Sequence, residues 1–185
     1  MTDFDANIVL LEFSLSVGDG WPPVAVETLP FECKLGRYKL LAPSLFVSGL
    51  SVGDELDVSL EPGTFRVMSW SHGLKSGRST VWLLRMHESE TIRHVLCLLR
   101  DIGCHTVSLA KLGAYSVDVP EDVPIDRVDS ALLGLDPVSV AAAFPSLRHV
   151  LSSATSGRRS DIDRICHQRK SPRNPKGPTC LEAAN

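Results

Sequence analysis

Apolar and polar positions alternate along the first half of the chain in short runs that end at glycine and proline turns. Gly-Asp-Gly at residues 18–20 and Glu-Pro-Gly at residues 61–63 are two of these turns. Alternation with a period of two is typical of half-buried β-strands. Five or six short strands at this spacing predict a small antiparallel β-barrel of the SH3-like kind, or a sandwich, over residues 7–75.

The pattern changes at Ser79, where strand-like and helix-like stretches begin to alternate. Apolar residues recur at spacings of three and four in two stretches, and Ser89 or Thr91 could cap the first helix. The predicted order is strand, helix, strand, strand and helix, over residues 80–86, about 90–102, 105–110, 114–119 and 125–133. This order is most of a ferredoxin-like unit, over residues 79–135, without its final strand. An N-terminal strand could fill that place, so the two parts could share one core.

The last fifty residues predict less regular structure. Asp136 followed by Pro137 is a favourable helix start, and it predicts a helical extension over residues 136–154 that Pro145 interrupts. From residue 155 the chain is rich in Ser, Gly, Pro, Arg and Lys, which predicts a disordered basic tail over residues 155–185. The predicted fold class is therefore α+β, with a barrel-like part, a β-α-β-β-α part and a tail.

Charge is distributed unevenly along a chain whose formal net charge is −3. Residues 157–185 carry seven Lys or Arg against three Asp or Glu, whereas the preceding residues carry twelve against nineteen. The first residues include no basic segment, and no apolar run is long enough to span a bilayer. We therefore expect a cytoplasmic protein that does not enter the membrane.

The residues that connect these elements carry a family resemblance. Asp-Gly-Trp-Pro-Pro at residues 19–23 is followed by Gly-x-Tyr-x-Leu at 36–40 and Gly-x-Ser-x-Gly-Asp at 49–54. Ser-Gly-x-Ser-Thr at 76–80 and Val-Asp-Val-Pro at 117–120 continue the order. The sequence thus resembles a bacterial family known only as domain of unknown function 4265, over about residues 7–135. The resemblance implies no activity. In place of the family's usual Pro-Phe-Phe this chain has Ser-Leu-Phe at residues 44–46.

The densest group of polar residues lies where the two predicted parts join. His72 precedes a segment whose hydroxyls, backbone N–H groups and guanidinium could bind an anion such as phosphate. The candidate residues are Glu27, His72, Ser76, Arg78, Ser79 and Thr80. The alternative is an ordinary turn whose serines bond their own backbone, and the residue pattern favours this alternative. The segment is not a Walker loop, because it lacks the glycine spacing and the Gly-Lys ending.

Trp21 and Asp118 are single residues with two interpretations each. Trp21 and the prolines after it could form a partner-binding corner, but the prediction favours a role in closing the end of a barrel. Asp118 lies between two valines in a predicted strand. Its carboxylate could face a cleft or could simply face solvent.

Neither catalysis nor metal binding is indicated by the residue pattern. Cys104 follows Gly103 at the end of a helix, where the dipole raises the pKa of a thiol and argues against a nucleophile. The five cysteines form no Cys-x-x-Cys pair, which predicts free thiols in a reducing compartment. His87, His94 and His105 do not share one helical face, so we expect surface histidines. No catalytic, cofactor-binding or metal-binding residue is therefore assigned.

Three functions stay open. The first is a non-catalytic protein-interaction module, such as an immunity-type inhibitor or an adaptor, which the acidic body and the absence of a catalytic set favour. The second is a nucleic-acid or nucleotide binder that uses residues 76–80 and the basic tail. The third is an enzyme of unrecognised type, with a pocket between the two parts near Glu27, His72 and Ser76. The sequence does not indicate the oligomeric state.

Overall fold

The computed structural model of the chain describes residues 7–149. Within them the strands form a closed five-stranded barrel and a separate four-stranded sheet. The predicted small N-terminal β-barrel is therefore confirmed. None of the helices in this part of the chain is long and apolar enough to cross a membrane. The predicted tail over residues 155–185 lies outside the described residues.

The barrel is a meander in which each strand pairs with the next. Its strands are β1 (Asn7–Ser14), β2 (Val26–Lys34), β3 (Arg37–Leu40), β4 (Glu55–Leu60) and β5 (Arg66–Leu74). Successive strands are antiparallel, and β1 closes the barrel by pairing in parallel with β5. Alternation places every second residue inside, so Leu11 and Phe13 are buried whereas Leu10 is exposed. A cluster around Phe31 and Leu56 fills the interior.

The second sheet and its helices follow directly. They are β6 (Ser79–Arg85), α1 (Thr91–Asp101), β7 (His105–Leu109), β8 (Ala114–Val119), α2 (Ile125–Leu132) and β9 (Val140–Ser146). The strand order is β7-β8-β6-β9, and all neighbours are antiparallel. Side chains from α1, α2 and one face of this sheet form a second apolar cluster, distinct from the barrel interior.

The other face of the sheet lies against the barrel segment that connects β3 to β4. Trp82 Nε1 donates to the carbonyl of Ser44 at 2.7 Å, and Thr80 Oγ1 donates to the carbonyl of Leu50 at 2.9 Å. All six residues of β8 are buried, because this strand is covered by helices on one face and by the barrel on the other. The solvent-facing interpretation of Asp118 is therefore wrong, since period-two alternation cannot be read in a strand covered on both faces.

Residues 136–146 contradict the sequence prediction of a helix. Asp136 accepts hydrogen bonds from the Ser139 hydroxyl and the Val138 N–H, and these bonds, the first above all, lower the pKa of its carboxyl group. The aspartate thus forms a local turn rather than a helix cap. The chain then enters β9, which supplies the strand that the β-α-β-β-α order lacked. Residues 150–154 of the predicted extension lie outside the described residues.

Helix α1 agrees with the prediction in extent but not in its capping. Gly103 follows its end with a positive φ of 101°, as expected of a glycine that stops a helix. At the other end, Glu90 occupies the cap position and makes no side-chain cap bond. Ser89 and Thr91 hydrogen-bond to each other instead of to the helix N–H groups, so neither acts as the predicted cap.

We predict that Gly113→Ala lowers the free energy of unfolding by about 2 kcal/mol, because alanine at positive φ is strained and a packed site adds a collision. Gly113 has a φ of 66°, and an added Cβ would lie 2.9 Å from the Arg85 carbonyl oxygen. Gly36→Ala is the matched control, with a φ of 78° but open space around it. Urea denaturation gives the free energy of unfolding of both variants, and the difference between their two losses measures the cost of the collision. Equal losses would contradict the packing argument.

Candidate functional site

Asp54 is the centre of the polar contacts at the join between barrel and sheet. It follows Gly53, whose φ of 85° turns the chain into β4, and its side chain has no solvent exposure. One carboxylate oxygen accepts the Ser76 N–H at 2.7 Å, and the other accepts the Ser51 N–H at 2.9 Å. A buried carboxylate requires such donors, since an uncompensated charge away from water is very costly.

Two cationic or potentially cationic side chains complete the surroundings of Asp54. The Arg148 guanidinium and the His72 Nε2 each lie 3.2 Å from the same carboxylate oxygen. Arg148 also donates to the Gly49 carbonyl at 2.9 Å and to the Ser146 hydroxyl at 3.0 Å. The chain that leaves β9 is thereby attached to the barrel. We call these groups the junction network: Ser51, Asp54, His72, Ser76, Ser79, Thr80, Ser146, Arg148 and His149.

Ser79 and His149 form a serine–histidine pair within the junction network. The Ser79 hydroxyl lies 2.7 Å from His149 Nδ1, and His149 Nε2 lies 2.9 Å from the Pro120 carbonyl oxygen. Because a carbonyl only accepts, Nε2 carries a hydrogen, and in the neutral imidazole Nδ1 then accepts from the serine. The Ser79 side chain is fully buried and also accepts the Arg148 N–H at 2.8 Å. The pair therefore holds the chain after β9 in place and offers no nucleophile to solvent.

Arg78 points away from the junction network to a second buried carboxylate. Its Nε donates to Asp118 at 2.8 Å, and its terminal nitrogen binds the other oxygen of the same group. His105 Nδ1 lies 3.2 Å from that second oxygen. A two-bond contact between a guanidinium and a carboxylate is among the stronger ion pairs. Asp118 and Asp54 thus have similar surroundings, in which an arginine and a histidine lie against a buried carboxylate.

The groups that the sequence predicted to bind a phosphate are bound instead by carboxylates of the protein itself. Asp54 accepts the Ser76 N–H, and Asp118 binds Arg78. The Glu121 carboxylate lies where a Cβ on Gly77 would stand, so it covers that glycine directly. This geometry favours the alternative interpretation of residues 76–80 as a structural connection.

Glu27 anchors a different segment. Its carboxylate accepts the N–H groups of Leu45, Phe46 and Val47 at 2.6, 2.9 and 2.9 Å. Burial raises the pKa of Glu27, and these three hydrogen bonds oppose that shift. The glutamate fixes the barrel segment that faces the second sheet. It has no contact with His72 or Ser76, so the three residues proposed to line an enzyme pocket do not form one group.

Trp21 lies on the surface next to this segment. Its side chain is 43% exposed, and its ring packs edge-on against Phe46 with 5.6 Å between ring centroids. The predicted role of Trp21 in closing the barrel is therefore wrong. A tryptophan held in place by a neighbouring ring but open to solvent is a typical contact residue at protein interfaces.

An apolar cleft of about 280 Å³ opens beside Phe46, between the barrel and the edge of the second sheet. One wall comes from β2 and the segment after β3, and the other from β7. Its lining includes Val26, Pro30, Leu45, Phe46, Val107 and Leu109. A second depression, of about 550 Å³, lies at the β2–β3 hairpin and is lined by charged residues such as Lys34 and Arg37.

The predicted site residues thus fall into three places. His72, Ser76, Ser79 and Thr80 belong to the junction network, Arg78 lies beside it on Asp118, and Trp21 and Glu27 lie near Phe46. Sequence reasoning missed Asp54, Ser51 and Arg148 as interaction centres and left Asp118 open between a cleft and solvent. Asp54 carried one usable signal, an acidic residue directly after a turn glycine, but that pattern is equally typical of an exposed turn.

Cys104 is unsuited to nucleophilic chemistry, as predicted from its position after Gly103. Its thiol is buried, and burial is the main cause that raises its pKa to about 11, with the nearby Asp118 charge adding to the shift. The helix end was therefore not the principal cause. Within residues 7–149 no group of three or more His, Cys, Asp or Glu side chains converges on a metal-sized space.

No protein-family model and no curated protein matches this chain. One solved structure with a similar fold is described as a novel crystal structure of a hypothetical protein from Neisseria gonorrhoeae. It has a TM-score of 0.59 and 15% sequence identity, and the match covers 77% of this chain and 98% of that one. At this identity the similarity shows a shared fold and carries no activity.

We predict that Glu27→Gln lowers the free energy of unfolding by about 2 kcal/mol, because an amide nitrogen cannot accept the N–H groups that a carboxylate oxygen accepts. Glu32→Gln, at a half-buried position of the same strand, is the matched control and should stay within about 0.5 kcal/mol of the unmodified protein. Chemical denaturation followed by tryptophan fluorescence measures both. If the two variants lost equal stability, the three N–H bonds would not be the stabilising feature.

We predict that Asp54→Asn destabilises the protein by about 3 kcal/mol, because breaking a buried pair leaves the partner charge uncompensated. Arg148→Met should be destabilising as well, and the double variant should lose about 1–2 kcal/mol less than the sum of the two. Asp57→Asn, at an exposed position in β4, is the control. Additive losses in the double-mutant cycle would show that Asp54 and Arg148 are not coupled.

Proposed function

We propose that the protein is a non-catalytic protein-interaction module, an adaptor or an inhibitor of the immunity type. The observation that carries this proposal is the apolar cleft beside Trp21 and Phe46. Apolar side chains that stay open to water beside a rigid aromatic pair are typical of a docking surface, since such surfaces bury aromatic anchors in a partner. The surface combines parts of the barrel with β7 of the second sheet.

The state of the polar groups also supports a non-catalytic role. Catalysis needs a nucleophile or a base that a substrate can reach. Ser79 is fully buried, and the thiol of Cys104 is buried with a raised pKa. His72 is bound to Asp54. Most of its neighbours in the junction network are hydrogen-bonded to one another, whereas the Ser76 hydroxyl is buried without a hydrogen-bond partner. Their arrangement is that of a structural connection.

Nucleic-acid or nucleotide binding has less support. Binding to nucleic-acid phosphates relies on arginine and lysine side chains that are free to neutralise them, which releases the counterions condensed on the nucleic acid. Arg78 and Arg148, the arginines nearest the proposed anion segment, are paired with Asp118 and Asp54. The basic tail that could add such contacts lies outside residues 7–149, so we keep this function as the alternative.

The finer fold assignment and the family are part of the proposal. The order β7-β8-β6-β9 with two helices on one face supports a ferredoxin-like second part. Membership of domain of unknown function 4265 stays a prediction that rests on the turn motifs. An SH3-like relationship of the barrel likewise stays a prediction.

We predict that Trp21→Ala weakens capture of a stoichiometric partner from native-host lysate at least about 30-fold, because aromatic anchors often contribute 2 kcal/mol or more to binding. Phe65→Ala is the matched control, since Phe65 is 59% exposed but, unlike Trp21, does not pack against the cleft residue Phe46. Quantitative mass spectrometry of the captured protein gives the readout. Failure of the unmodified protein to retain any stoichiometric partner would contradict the proposed function.

A further inference from the structure

β7 is the open edge of the second sheet. The strand order places β7 and β9 at the two edges, and β9 carries Pro145, whose carbonyl accepts the Gly49 N–H. Proline and a covering loop both protect an edge from further pairing. In residues 7–149, by contrast, the only strand that pairs with β7 is β8. The outer side of β7 therefore presents main-chain donors and acceptors to an incoming strand.

The apolar cleft lies directly beside this edge. Val107 and Leu109 of β7 line it, and they share a sheet face with Ser116 of β8, which is paired with Val107. Side chains of neighbouring strands that point to one face lie about 4.8 Å apart. Alternate side chains of a strand added to β7 would therefore enter the cleft next to Val107. Phe46 and Val26 would face them from the barrel wall.

The charge at the two ends of β7 is positive, which favours an added strand with acidic residues. Arg100 extends from α1 to the Thr106 hydroxyl at 2.8 Å, and Lys111 follows the strand. Neither side chain forms an ion pair with another described residue. Even with Asp101 counted, these ends carry net positive charge. The tail at residues 157–185 is itself basic, with seven cationic residues against three acidic ones, so it does not complement this edge.

We propose that β7 and the apolar cleft bind an extended segment of a partner protein by strand addition, with apolar side chains at alternate positions and acidic residues at the flanks. Main-chain hydrogen bonds would give affinity, and the cleft would give specificity. This inference rests on the proposed function and names the chemistry of the partner.

The test uses the full chain labelled with ¹⁵N and a defined probe peptide. The probe alternates valine and threonine over five residues and carries two glutamates at each end. We expect amide shift changes centred on His105–Leu109 and Phe46, together with slower hydrogen exchange in β7. A probe with lysines in place of the glutamates should bind roughly tenfold more weakly, equal to about 1.4 kcal/mol. A probe N-methylated at alternate backbone nitrogens should lose binding to a similar extent or more.

Variants of the protein give the second measurement. Val107 is 37% exposed, and Val107→Glu should weaken binding of the acidic probe at least tenfold. Val138→Glu is the matched control, since Val138 is 71% exposed and lies outside the cleft, and it should bind the probe unchanged. The N-methylated probe does not depend on any variant, so the test stays decisive if Val107→Glu folds poorly.

Three results would overturn the inference: equal binding of the N-methylated probe, shift changes confined to other strands, or contacts between residues 150–185 and Val107 in the free protein. If Trp21→Ala lost a stoichiometric partner that Val107→Glu retained, strand addition would be wrong while the interaction function held. If no partner bound the unmodified protein, the interaction function itself would be wrong.

Discussion

The rest of the structure depends on the burial of one charge, the carboxylate of Asp54. A carboxylate without solvent contact must receive hydrogen bonds and a counter-charge, or the fold that buries it is not stable. The compensating groups come from separate parts of the chain: the turn before β4, the end of β5, the residues before β6 and Arg148 after β9. Arg148 is 94 residues from Asp54 in sequence. The barrel and the second sheet are therefore attached to each other by electrostatics as well as by packing.

This internal use of polar groups determines which surfaces are left for function. Asp54, Asp118 and Glu27 bind the arginines, histidines and N–H groups that would otherwise recognise an anion. Closure of the barrel by β1 and β5 also gives each barrel strand a partner on both sides. The features that stay open are consequently apolar or main-chain in character, namely the cleft beside Trp21 and the outer side of β7. The proposed protein-binding role rests on these open features.

Local signals predicted much of this fold, because turn glycines and hydrophobic periodicity act within a few residues of where they are read. They failed where distant pairing decides the outcome. Residues 140–146 are rich in alanine, which has low strand propensity, and they become β9 only because β6 offers an unpaired edge. Asp118 was ambiguous since a strand covered on both faces loses its alternation. The junction was recognised from its local density of hydroxyls. Arg148 could not be assigned to it, because no residue pattern near position 148 indicates contact with Asp54.

The candidate residues predicted from the sequence include both buried residues that stabilise the fold and exposed residues that are open to a partner. Polar residues at a chain break are enriched both where a ligand binds and where two parts of a fold meet, so residue type alone does not distinguish the two. Burial does distinguish them. Ser79 and Thr80 are fully enclosed, and their hydroxyls are engaged within the protein, whereas Trp21 keeps nearly half of its surface in water. We therefore expect changes in the junction network to act on stability first, whereas changes along the cleft and β7 should alter the proposed recognition while the fold stays intact.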